Sequence, residues 1–176
     1  MLRLFLAVSL FVLCLCPPTW AGDFTTYWQV DGDWESCAFL DPQSEAQYYM
    51  AEHVRPDAPE LIIFSLKTQY PRCDSFSAGA YLYGVEKRAF SLTAAQGHMA
   101  MGNLDYPFIY DLESQGKGFY KIRFRSFANE DLPALLKQGP VMALHFPQAG
   151  AIREVSLQGF TRALERAAQL CRAQLR

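Results

Sequence analysis

The chain is poor in charge, in histidine and in the short signatures that mark common active sites. Charged residues make up 19% of the 176 positions, with 16 Lys and Arg against 18 Asp and Glu and a formal net charge of -2. No global field would gather nucleic acid or another polyanion, so a nucleic-acid partner is not expected. Only three histidines occur, His53, His98 and His145. The Gly-x-Ser-x-Gly elbow, the His-Glu-x-x-His pair and the Walker and dinucleotide-binding glycine patterns are missing. So are internal repeats, low-complexity tracts and linkers long enough to separate domains. The length fits one domain.

What is present begins with a leader. Arg3 precedes an apolar run from Leu4 to Cys16, followed by Pro17-Pro18 and the small residue Ala21. That layout is the one of a secretory signal peptide. The expectation is a signal peptide over residues 1–21, cleaved after Ala21, and one β-rich domain over 22–176, periplasmic or secreted. The apolar run is shorter than the ~20 residues a bilayer needs. No later stretch is apolar enough, so no membrane span is expected after cleavage.

Cleavage would leave three of the five cysteines, Cys37, Cys73 and Cys171. In an oxidising compartment a disulfide persists, and an odd count leaves one thiol over. Three pairings are possible. Cys171 falls in phase with Phe160, Leu164 and Ala167 on the apolar side of a helix, and Cys37 lies in a strand-like segment. Cys73 sits in the loop-like Pro71-Arg72-Cys73-Asp74. This favours Cys37–Cys171, with Cys37–Cys73 as the alternative and Cys73 as the free thiol of the favoured pairing.

Alternation dominates between residues 24 and 125. In Phe119–Arg125, Tyr120, Ile122 and Phe124 take one face while Lys121, Arg123 and Arg125 take the other. Leu61–Leu66 is a continuous apolar run rich in β-formers, as in a central strand. Further strands are read at Tyr27–Val30, Ser36–Leu40, Gln47–His53, Ala80–Val85, Arg88–Thr93, His98–Met101, Ile109–Leu112, Val141–Phe146 and Ile152–Leu157. No helix intervenes before residue 128, which excludes parallel crossover units. Two helices come late: a short one near 129–137, capped by Asn129, and Phe160–Leu175, whose Phe160, Ala163, Leu164, Ala167 and Cys171 recur at helical spacing. The fold expected is therefore mainly β, an antiparallel β-sandwich or curled sheet with the C-terminal amphipathic helix packed on it.

Two segments resemble the small periplasmic proteins of the invasion-associated locus B type. One is Asp33-Trp34 shortly before Cys37. The other is Leu135–Val141 leading into Val155-Ser156-Leu157-Gln158-Gly159-Phe160-Thr161-Arg162-Ala163-Leu164. That family has an early tryptophan–cysteine segment and a closing Leu-x-Gly-Phe-x-x-Ala-Leu strand running into a helix. This chain departs from it in having no further cysteine between Cys37 and Cys73. The resemblance implies a non-enzymatic envelope protein with a sandwich-like β fold.

Candidate chemistry is sparse. Gly97-His98-Met99-Ala100-Met101 offers an imidazole and two thioethers, donors suited to copper(I). On one strand, however, His98 points opposite to Met99 and Met101, so no metal site and no cofactor is assigned. Lys121, Arg123 and Arg125 would form a cationic stripe along one strand face, a candidate seat for an anion or an acidic partner. The plainer reading is a solvated face balanced by acids on neighbouring strands. The functional expectation is an exported, non-enzymatic envelope protein that binds an unidentified protein or cell-envelope component. The alternatives are an inhibitor or immunity-type protein acting on a secreted enzyme, and a hydrolase.

Overall fold

The structure is a computed structural model that describes residues 27–41, 44–53, 62–83, 91–116, 118–127 and 131–174. The expected signal peptide, its cleavage site at Ala21 and the expected cap Asn129 lie outside these residues. The described chain forms ten strands. They are β1 Tyr27–Asp31, β2 Trp34–Leu40, β3 Gln47–His53, β4 Ile62–Thr68, β5 Ser77–Leu82, β6 Leu92–Met101, β7 Leu104–Gly116, β8 Phe119–Phe127, β9 Val141–Phe146 and β10 Ala151–Ser156. Two α-helices follow the pattern read from the sequence, α1 Leu132–Leu136 and α2 Phe160–Ala173. The cap of α1 is Asp131, whose Oδ1 accepts from the Ala134 amide at 3.0 Å.

All ten strands belong to one antiparallel sheet, ordered β1-β2-β3-β4-β5-β8-β7-β6-β9-β10. Of the two expected arrangements, the curled sheet is the one that forms. The curl follows from the twist that a wide sheet accumulates. It brings the β10 end back over β2–β5: Trp34 Nε1 donates to Ser156 O at 2.7 Å, and Arg153 Nη2 donates to Tyr83 O at 3.1 Å. The sheet nevertheless stays open.

The inner face carries the core, as the two-residue alternation requires. Trp34, Phe64, Leu66, Leu82, Met99, Tyr110, Leu112, Ile122, Leu144 and Phe146 are essentially fully buried. Each contributes on the order of 1.5–3 kcal/mol of burial free energy relative to exposure. Helix α2 lies on the inner face across β1–β4 and buries Phe160, Ala163, Leu164, Ala167 and Cys171. The Phe160 ring packs edge-on against Trp34, with centroids 4.8 Å apart. No helix among the described residues is long and apolar enough to cross a membrane.

The disulfide differs from the expected pairing. Cys73 bonds to Cys171, with their Cα atoms 5.6 Å apart, and Cys37 is a buried thiol. Strand parity is the reason. Trp34, Ser36 and Ala38 face inward under α2, so Cys37 points to the opposite side of the sheet and cannot reach Cys171. The β4–β5 loop instead folds beneath the end of α2. Thr68 Oγ1 donates to Arg72 O at 2.8 Å, Arg172 pairs with Asp74, and Cys73 is buried there beside Ala167 and Leu170.

Candidate functional site

With the concave face filled by core and helix, chemistry-bearing side chains gather on the convex face. One group lies on β2–β4. The register sets Glu35 directly opposite Glu52, Glu52 opposite Ser65, and Cys37 opposite Met50, which in turn faces Lys67. Both glutamates are half-buried. Burial pushes Glu35 up to about 7, and burial together with the Glu35 charge pushes Glu52 up to about 7 as well. Burial, Glu52 and Glu35 push the Cys37 thiol up to about 12, far from thiolate reactivity. Lys67 is held below its ordinary value by burial, although Glu52 opposes that shift. Its ammonium lies 5.5 Å from the centroid of the Phe39 ring, which stacks on Tyr48.

This acid pair is missing from the expectations drawn from the sequence. A signal for it exists, because pairing β2 and β3 about the loop after Leu40 sets Glu35 across from Glu52.

The expected cationic stripe lies on β8, as read, but acids of β7 face it. Arg125 Nε is 2.8 Å from both carboxylate oxygens of Asp111. Lys121 stands opposite Glu113, and Arg123 opposite Asp111. Asp111 is held below the usual carboxylate range, first by the Arg125 hydrogen bond and then by the Ala94 amide, which donates at 2.9 Å. Lys121, Arg123 and Arg125 thus form one half of a mixed-charge surface rather than a cationic track.

The third place is a cleft of about 640 Å3 on the convex side of β6–β8, closed at one end by the turn Pro147–Ala149. Gln96, His98, Asp105, Ile109, Ser126 and Gln148 line it. Gly97 shapes its floor. A Cβ there would stand 2.4 Å from the Phe108 ring and 2.7 Å from His145 O, so only glycine lets β9 and the Phe108 ring approach β6 this closely. Behind the wall, buried Tyr110 donates to Gln148 Oε1 at 3.4 Å. Burial pushes the Tyr110 phenol up to about 12, so it stays a donor.

At the rim, His98 stands opposite His145 in the β6–β9 register, and their rings stack with centroids 4.3 Å apart. Met99 and Met101 are buried in the core on the other side of the strand, so the expected opposition of His98 to the two thioethers is what the fold contains. Among the described residues no three His, Cys, Asp or Glu converge as a metal centre. The third histidine, His53, is buried on the inner face beside Trp34. No local signal in the sequence could have joined His98 to His145, which lie 47 positions apart on strands that are not neighbours in the chain.

No protein-family model, curated protein or solved structure matches this chain.

Proposed function

We propose that this is an exported, non-enzymatic envelope protein that binds a protein or cell-envelope component on the convex face of its sheet, with the cleft beside His98 as the seat. The observation that carries the reading is the Cys73–Cys171 bridge, a staple suited to an oxidising compartment outside the cytoplasm. The leader-like segment before residue 22 and the resemblance to invasion-associated locus B proteins point the same way. The cleft has the size of a ligand site, and its walls combine an apolar base with a few hydrogen-bonding side chains. A non-catalytic role is supported by the buried Cys37 thiol, pushed up to about 12 and far from thiolate reactivity, and by the pairing of Arg125 with Asp111.

The test has two arms. Protein taken from the envelope fraction should have the intact mass of residues 22–176 with one disulfide. A photo-crosslinking residue placed at Ile109 in the cleft should give a specific adduct in cells, while one at Arg162 on the outward side of α2 should not. A cytoplasmic, fully reduced protein would end the export claim. Equal labelling from both positions, or none from Ile109, would end the claim for the cleft.

A further inference from the structure

We propose that His98 and His145 form a two-imidazole seat for a divalent transition-metal ion, copper(II) foremost, at the rim of the convex cleft. Topology comes first. Residues 98 and 145 are brought into direct cross-strand register, and both side chains point to the convex side. Side chains directly opposite on adjacent antiparallel strands have Cβ atoms about 4.5–5.5 Å apart, close enough for both to reach a single ion. The rings already lie together, 4.3 Å between centroids and 28° between planes.

Metal–nitrogen bonds of about 2.0–2.1 Å put two imidazole nitrogens of one ion no more than about 4 Å apart. Chelation requires each half-exposed ring to turn about χ2 from the stacked arrangement until one nitrogen of each faces the same point. Nothing comparable is available to His53, which is enclosed in the core on the other face.

The chemistry of the donors selects the ion. Imidazole suits copper(II), nickel(II) and zinc(II), and within that series copper(II) binds most tightly. Met99 and Met101, the donors that would favour copper(I), are held in the core and do not contribute. With only two protein ligands the remaining positions are filled by water, and the cleft leaves them room. Asp105, Gln96 and Gln148 line the same cavity and can accept hydrogen bonds from those waters. Such a seat is exchangeable rather than structural, and its open positions face the space proposed above for a ligand. The metal proposal stands on the histidine pair and does not require the binding reading to hold.

Copper(II) alone, titrated into the untagged full protein, tests it by calorimetry and by electron paramagnetic resonance. One ion per chain should bind, with superhyperfine coupling to two nitrogens. His98→Ala and His145→Ala should each weaken binding at least about tenfold, and the double variant should abolish it. The circular dichroism of all three should match the parent. Retention of the ion by the double variant, or no saturable binding by the parent at about a tenfold excess of copper, would overturn the proposal. If a variant misfolds, the parent still decides the matter by NMR. Substoichiometric copper(II) should broaden the ring signals of His98 and His145 first. Broadening that begins at His53 or at the chain terminus overturns it.

Discussion

Glu52 shares the electrostatic cost of the convex face with Glu35, which stands opposite it. Its folded pKa of about 7 stands above the ordinary 4.5, so the folded protein holds a proton that the unfolded chain has released. Between those values folding takes up a proton, and stability must fall as the pH rises from about 4.5 through about 7. The same holds for Glu35 opposite, also raised to about 7. Glu52→Gln keeps the shape and removes the charge. We expect the variant to match the parent near pH 4 and to exceed it by roughly 1–3 kcal/mol at pH 8, since the rise from 4.5 to about 7 at about 1.4 kcal/mol per pKa unit sets a ceiling of about 3.5 kcal/mol that partial solvent exposure of the side chain reduces. Urea unfolding at the two pH values checks this. Equal stability at pH 8 would mean that solvent already screens the pair.

Cys37 makes the opposite statement, a polar atom that costs little because it stays neutral. With the thiol pushed up to about 12 and only 7% of the residue exposed, a maleimide should leave it untouched in the native protein and label it once in denaturant. Labelling of the native fold at the rate of a free thiol would contradict its placement.

At the scale of elements, α2 is held to the sheet covalently at one end and by backbone fit at the other. The Cys73–Cys171 bridge spans 98 positions, for which chain entropy gives stabilisation on the order of 4–5 kcal/mol. Cys73→Ser should lower stability by roughly 2–5 kcal/mol, well beyond the loss in Cys37→Ser, as measured by chemical denaturation without reductant. Near-equal losses would mean that the bridge adds little.

The N-terminal end of α2 depends on Gly159, which has φ +94°. A Cβ at that position would fall 1.6 Å from Asp31 O. Gly150 also has positive φ, +61°, but nothing lies within 4 Å of its added Cβ. The two glycines therefore separate backbone strain from steric collision. Gly150→Ala should cost about 1 kcal/mol through strain alone. Gly159→Ala should cost several times as much, because the β1–β2 turn must move away from the helix start. Similar losses at both sites, read by thermal unfolding, would refute the close approach.

Over the whole molecule, the two segments that carried the family resemblance turn out to be one packing unit. The Asp33 amide donates to Gln158 O at 3.1 Å, Trp34 Nε1 bonds to Ser156 O, and Arg166 pairs with the buried Asp31. Trp34 is completely buried between Phe160, Phe64 and His53. The hairpin at the start of the described chain and the strand–helix junction near its end thereby lock the curl of the sheet. Trp34→Ala should remove roughly 3–5 kcal/mol, and it should raise hydrogen exchange in β1, β2 and the first turn of α2 together. A loss confined to β2 would show that the two regions are not coupled.

The sequence alone determined the strand-rich class, several strands almost to the residue and the apolar side of α2. Gln47–His53 and Val141–Phe146 coincide with β3 and β9. These were readable because alternation and helical spacing are local, written within a few residues of each other. Boundaries slipped where the pattern was interrupted. β6 and β7 run longer than the His98–Met101 and Ile109–Leu112 segments read for them, since Gly97 and Pro107 look like breaks but sit inside paired strands.

Which face a residue takes, and who stands opposite, was left to the tertiary structure. Cys37 lost its expected partner because β2 is buried on both sides, so composition could not reveal its parity. Asp111 and Glu113 neutralise the stripe on β8 only because β7 pairs with it in that register. His98 and His145 meet only because β9 returns from beyond α1 to lie beside β6. Local pattern is set by the chemistry of neighbouring residues, whereas convergence of distant side chains depends on strand order, which is chosen by the burial of the core as a whole.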